Sequence, residues 1–126
     1  MNSVARSLPA LWRAEKVQKK ARKAGFDWDE VSGPMDKLYE ELEELKTAVA
    51  ENSNIEEELG DLLFAAVNLS RFVQVDCEKA LSAATDKFIR RFAQVEELAN
   101  TQGRAMESMT LAEFDKLWDE AKHTKA

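Results

Sequence analysis

The sequence predicts an all-α domain, an antiparallel helix bundle with four main helices and a short C-terminal fifth. Three observations carry that expectation. Apolar residues recur at alternating spacings of three and four, the period of one helix face. The 126 residues include only four Gly and two Pro, too few for the many turns of an all-β fold. Capping residues and helix breakers fall where the apolar stripes start and stop.

Residues 9–24 read as the first helix, with Leu11, Ala14, Val17 and Ala21 as its stripe and Gly25 as its stop. The loop after it, residues 26–33, carries Phe26 and Trp28, which suit plugs at a core edge. Pro34 suits the first position of a second helix, where a missing N–H costs nothing. That helix's stripe, Met35, Leu38, Leu42, Leu45 and Val49, runs to a break at Asn52-Ser53-Asn54. Asn54 with Glu57 three residues on has the form of an N-cap, followed by Ile55, Leu59, Leu62, Ala66, Leu69 and Val73. Asp76 opens a fourth helix through Ala80, Ala84, Phe88, Phe92 and Val95 to about residue 100. Thr110 and Glu113 form a capping box for a short last helix with Leu111, Phe114, Leu117 and Trp118. Short connections make consecutive helices antiparallel neighbours.

The length suits one domain over residues 1–126 with a single modest core. Cys77 is the only cysteine and His123 the only histidine, which excludes a disulfide framework, a thiolate metal cluster and multi-His metal sites. The longest apolar run is residues 62–67, far short of the roughly 20 a membrane span needs, so no membrane partner is expected. One cysteine and the lack of a charged-then-apolar opening segment place the expected compartment in the cytoplasm. The net charge of −6 disfavours a nucleic-acid partner.

That charge is unevenly spread. Residues 1–24 carry +6, residues 27–61 carry −11, and the remainder carries −1. Thirteen acids in the middle segment must be solvated, screened or bound to cations. Two stretches there repeat each other seventeen residues apart: Leu38-x-x-Glu41-Leu42-x-Glu44-Leu45 and Ile55-x-x-Glu58-Leu59-x-Asp61-Leu62. In each, both acids lie on the same side of their helix's apolar stripe. On antiparallel neighbours, four carboxylates either converge between the helices or splay apart; both arrangements fit the spacing. A convergent set would raise its own pKa values and destabilise the fold without a cation. All-oxygen ligands suit Mg²⁺, or Mn²⁺ as a substitute, and Mg²⁺ usually completes its shell with water and substrate phosphates. The alternative for Lys37, Glu41 and Glu44 is a salt-bridged outer helix face. Lys87, Arg90 and Arg91 would serve a phosphate substrate as cations, although such a group on its own more often belongs to a solvated surface. The basic residues of the first helix, Lys16, Lys19, Lys20 and Lys23, read as its solvated side.

The run Glu40-Glu41-Leu42-Glu43-Glu44, followed after thirteen intervening residues by Glu58-Leu59-Gly60-Asp61, resembles the E-E-x-x-E … E-x-x-D signature of the MazG family. Further stretches agree with it, including Lys16-Val17-Gln18-Lys19-Lys20, Gly25-Phe26-Asp27-Trp28, Asp86-Lys87-Phe88-Ile89-Arg90-Arg91-Phe92 and Leu117-Trp118-Asp119-Glu120-Ala121-Lys122. The resemblance covers roughly residues 8–122 and is nearest to the C-terminal catalytic copy of two-copy members. It leaves open whether the chain is stand-alone or an excised domain.

The resemblance implies an all-α nucleoside triphosphate pyrophosphohydrolase. It gives Glu41, Glu44, Glu58 and Asp61 as Mg²⁺ ligands. It also gives Lys37, Glu40, Glu41, Lys87, Arg90, Arg91 and Trp118 as nucleotide contacts. The implied reaction is NTP + H₂O → NMP + PPi, water attacking the α-phosphorus. Glu40 and Glu57 are the candidate general bases, and Asn68 a candidate for orienting a phosphate or ribose hydroxyl. Broad NTP/dNTP hydrolysis is the first expectation. A narrower dUTP, dCTP or phosphoribosyl-ATP specificity and a non-catalytic helical binding module are the alternatives. The resemblance further implies a homodimer, in line with the apolar surface that short amphipathic helices leave uncovered.

Overall fold

A computed structural model describes residue 1 and residues 3–123. Its helices are α1 (Ala10–Lys23), α2 (Ser32–Glu51), α3 (Ile55–Phe72), α4 (Cys77–Thr101) and α5 (Leu111–Lys122), with a short 3-10 turn at Met106–Ser108. No strand occurs among the described residues, so the all-α expectation holds.

Most helix ends follow the local chemistry. Gly25 adopts φ +94°, which lets the Phe26 N–H donate to the Ala21 carbonyl at 2.9 Å and closes α1. Pro34 is the third residue of α2 rather than its first, still in the first turn, where N–H groups lack intrahelical acceptors. Asp76 Oδ1 accepts from the backbone N–H groups of Glu78 and Lys79 at 3.0 and 3.3 Å, capping α4. It also accepts from the Trp12 indole at 3.1 Å, tying α1 to the start of α4. The indole bond, followed by the two backbone donors, holds the Asp76 carboxyl below the usual carboxylate range. The Thr110–Glu113 capping box forms in full.

Asn54 departs from expectation. Its side chain makes no capping bond, and its backbone is left-handed at φ 59°, as is that of Asn52 at φ 51°. Side-chain capping requires an extended backbone at that position. The three-residue turn between α2 and α3 instead uses two left-handed residues, a conformation that asparagine tolerates best after glycine. Asn54 is there for its backbone.

The chain divides into two compact units, residues 1–80 and 81–126. In the first, α2 packs on α3 across the tight turn, and α1 packs on α3. In the second, the later part of α4 and α5 enclose Val95, Ala99, Leu117 and Ala121, flanked by Phe114 and Trp118.

The expected stripes do not become the core of the first unit. Its buried apolar residues are small: Val4, Ala48, Ala65 and Val67, with Pro34. Met35, Leu42, Val49, Ile55, Leu59 and Val73 are exposed, as is Ala66. Close helix approach runs through alanine and valine, with Leu38, Leu45, Leu62 and Leu69 half-buried beside them and Leu42 and Leu59 left outward. No helix among the described residues is long and apolar enough to cross a membrane.

Candidate functional site

Two helices carry the acids. Glu41 and Glu44 stand three residues apart on α2, and Glu58 falls in the first turn of α3, where the helix dipole favours a carboxylate. Carboxylate oxygens of Glu41, Glu44 and Glu58 all lie within 4.8 Å of one another. The repeated acids therefore converge, at least for these three. Asp61 is exposed, lies outside this trio and lines the adjoining cavity together with Glu41 and Lys37.

Charge within the trio is only partly balanced. Glu41 is 6% exposed, and its Oε1 pairs with the Lys37 ammonium at 3.1 Å. The same ammonium reaches Glu40 Oε2 at 3.5 Å. Hydrogen bonding to Glu41 raises the Lys37 pKa above the ordinary lysine value. Glu41 Oε2 and Glu58 Oε2 are buried without a hydrogen-bond partner among the described residues. Repulsion from Glu41, then a hydrogen bond with it, pushes the Glu44 carboxyl above its usual range. Oxygen-only donors, unpartnered buried oxygens and uncompensated charge together fit a hard divalent cation. Glu41, Glu44 and Glu58 would hold it.

Beside the trio lies a cavity of about 640 Å³. Val17, Gln18 and Ala21 of α1 form one wall, and Asp61, Phe64, Ala65, Asn68 and Arg71 of α3 another. Phe26 and Trp28 complete it from the loop. The sequence suggests these aromatics as plugs of the core edge; instead they are 72% and 43% exposed and line an open pocket. The correction has a local cause in Gly33. A Cβ there would come within 2.6 Å of the Trp28 ring, so the indole lies flat against the start of α2.

Asn68 is half-buried rather than solvent-facing, and its Oδ1 accepts from Arg71 Nε at 2.9 Å and Nη2 at 2.7 Å. Arg71 is itself buried and donates to both Asp27 carboxylate oxygens, at 3.3 and 2.8 Å. The Arg71 hydrogen bond holds the Asp27 carboxyl below its usual range. Gln18, 5% exposed, donates from Nε2 to the Phe64 carbonyl at 2.9 Å. Sequence reasoning missed Gln18, Asp27 and Arg71. One signal was available: Gln18 stands seven residues after Leu11 and four after Ala14, a polar residue in an apolar register.

Of the remaining candidates, Glu40 and Glu57 are exposed near their cluster neighbours in sequence. Lys87, Arg90, Arg91 and Trp118 belong to the second unit. There the Arg91 guanidinium lies 5.8 Å from the Trp118 ring centroid, and the tilted Phe88 ring lies 5.3 Å from the same indole. Lys87 and Arg90 are exposed.

Residues 29–96, more than half of the chain, match the family model of the MazG nucleotide pyrophosphohydrolase domain. The chain belongs to the MazG family. The matched segment holds both arms of the carboxylate hairpin and the basic group of α4. The nucleoside triphosphate pyrophosphohydrolase of Escherichia coli K12 is 41% identical over 97% of this chain and 48% of its own length. The nucleoside triphosphate pyrophosphohydrolase/pyrophosphatase MazG of Thermotoga maritima is 46% identical over 91% of this chain and 45% of its own. A Bacillus subtilis protein, the uncharacterized YabN, is 46% identical over 99% of this chain and 26% of its own. The MazG chain described here thus spans about half the length of the first two relatives.

Proposed function

We propose that this MazG chain hydrolyses nucleoside triphosphates to the monophosphate and pyrophosphate, with attack of water on the α-phosphorus. The observation that carries the proposal is the Glu41–Glu44–Glu58 trio, with two buried oxygens unpartnered, opening onto a cavity large enough for a nucleoside. The family match and the names of the E. coli and T. maritima relatives support the same chemistry.

In this reading Glu41, Glu44 and Glu58 hold Mg²⁺, or Mn²⁺ in its place, and Asp61 completes the set from the cavity side. The chemistry supplied by the bound ion is polarisation of phosphate oxygens and neutralisation of charge on the leaving pyrophosphate. Lys37 fixes the Glu41 carboxylate and adds positive charge beside the polyphosphate. A water oxygen bonds to the α-phosphorus, the bond to the α–β bridging oxygen breaks, and the water's proton passes to a carboxylate. Glu40 is the better supported base, because Lys37 anchors it beside Glu41; Glu57 is the second candidate. The family resemblance also gives Lys87, Arg90 and Arg91 as polyphosphate contacts and Trp118 as a nucleotide contact.

The functional unit is proposed to be a homodimer. Met35, Tyr39, Leu42 and Val49 recur along one line of α2, and Ile55, Leu59 and Leu63 along α3, all exposed. Exposed seams of that kind are usually covered by another helix pair.

The deciding experiment is a panel of NTPs and dNTPs with Mg²⁺, with products separated as monophosphate plus pyrophosphate or diphosphate plus phosphate. Monophosphate and pyrophosphate are expected, and activity is expected to fall at least 100-fold (about 3 kcal/mol) in Glu41→Gln and Asp61→Asn. Full activity in those variants refutes the assignment. Turnover restricted to dUTP, dCTP or phosphoribosyl-ATP replaces broad specificity with the narrow reading.

A further inference from the structure

We propose that Arg71 is a positioning residue for nucleotide recognition: it fixes the Asn68 amide so that its NH₂ group is offered to the cavity, where it binds an acceptor atom of the base. The inference rests on the nucleotide reading above and specifies which side chains read the base.

An asparagine amide has two nearly isosteric orientations, one presenting oxygen and the other two N–H donors. A guanidinium has donors only, so it accepts just one of them. Arg71 donates from Nε and Nη2 to Asn68 Oδ1 at 2.9 and 2.7 Å, and the flipped amide would set N–H against N–H. The Asn68 NH₂ group has no hydrogen-bond partner among the described residues, and Asn68 lines the cavity. Arg71 cannot rotate away, because Asp27 takes its other donors at 3.3 and 2.8 Å. Asp27 immediately precedes Trp28, so one guanidinium sets both a polar reader and an aromatic wall.

A second amide in the same cavity is fixed in the opposite sense. Gln18 commits its Nε2 to the Phe64 carbonyl, leaving Oε1 buried and unpartnered among the described residues. An unmet buried acceptor of this kind calls for a donor. The cavity thus offers one fixed donor between apolar and aromatic walls, with the unmet Gln18 acceptor buried in one of those walls. A phosphate supplies acceptors only and would leave Gln18 unmet. The edge of a nucleobase, where a ring nitrogen or carbonyl adjoins an N–H, meets both, and its planar ring suits Phe26 and Trp28.

The test measures Mg²⁺-dependent binding of α,β-methylene analogues of ATP, CTP, GTP and UTP by calorimetry, with Mg²⁺–tripolyphosphate as a probe that lacks a base. Asn68→Asp keeps an oxygen toward Arg71, so the fold is retained, but it exchanges the NH₂ group for an acceptor. Its affinity for the best-bound analogue is expected to fall about tenfold or more beyond any change in tripolyphosphate affinity. Arg71→Lys made alone is expected to weaken the analogue selectively. Combined with Asn68→Asp in a double variant, it is expected to add nothing to the loss that Asn68→Asp already causes. Equal losses for analogue and tripolyphosphate, or none, overturn the inference while leaving the nucleotide reading intact. So does an Arg71→Lys effect of the same size with and without Asn68→Asp. Failure of the unmodified protein to bind any analogue overturns both.

Discussion

Replacing Glu41 with glutamine separates a cation site from a structural ion pair, because the two readings predict opposite signs in metal-free protein. Glu41, Glu44 and Glu58 bring three negative charges together, and Lys37 returns one positive charge, leaving a local formal charge of −2. Without divalent cations, Glu41→Gln lowers that to −1 while preserving shape. The lost pairing with Lys37 is small, since that ammonium is 41% exposed and already reaches Glu40 at 3.5 Å. The metal-free variant is therefore expected to melt at or above the unmodified protein.

Added Mg²⁺ reverses the order. At a hundredfold excess over its dissociation constant, a ligand that binds only the folded state stabilises it by about 2.7 kcal/mol. For a chain of this size that raises Tm by roughly 10 °C. The unmodified protein should show this rise, and Glu41→Gln should lack most of it. The assay is thermal unfolding followed by circular dichroism in EDTA and in 10 mM Mg²⁺ (on the order of a saturating dose for the weak carboxylate sites that Mg²⁺ prefers). A variant that melts below the unmodified protein in EDTA yet gains equally from Mg²⁺ would refute the reasoning and make Glu41 a structural partner of Lys37.

Three further outcomes follow from the same geometry. Gly33→Ala drives a methyl group into the Trp28 indole, which sits within 2.6 Å of where the Cβ must go. Displacement of the ring should appear as a shift in tryptophan emission, with nucleotide-analogue affinity reduced about threefold to tenfold. Asp27→Asn leaves the buried Arg71 charge without its carboxylate and should cost about 3 kcal/mol at neutral pH by urea unfolding. Because pairing lowers the folded pKa of Asp27, its stabilisation is fully present above the ordinary value of 3.8 and is lost as pH falls through the lower folded value. The gap between Asp27→Asn and the unmodified protein should therefore persist at pH 5 (about one unit above the unfolded carboxyl value) and close only in stronger acid. Leu42→Lys with Leu59→Lys charges the exposed seam of the α2–α3 hairpin; light scattering should report a loss of dimer with α-helical content retained.

The helices and the acids are legible in the sequence because both depend on local periodicity. Alternating spacings of three and four place α1 to α5, and the seventeen-residue repeat puts Glu41, Glu44 and Glu58 on facing arms. Three things escape it for physical reasons. Which helix face turns inward is decided by tertiary packing, and Ala48, Ala65 and Val67 win that place over Leu42 and Leu59. The loop aromatics read as core plugs because nothing local reveals that Gly33 gives Trp28 a surface to lie on. The Asp27–Arg71–Asn68 network joins residues 44 positions apart, and no period in a sequence encodes a long-range ion pair.

The tight turn at residues 52–54 sets a rule for insertions and deletions. It holds Glu41 and Glu44 opposite Glu58 as a hinge pin holds two leaves in phase. One extra residue within either helical arm, between its acid and the turn, rotates that acid by about 100° and moves it about 1.5 Å along the axis. Surface loops ordinarily accept length changes, but this hairpin should accept them only when both arms lengthen together by whole helical turns, about seven residues in all. Ser53 can be exchanged freely by the same logic, whereas the distance in sequence from Glu44 to Glu58 is a dimension of the site.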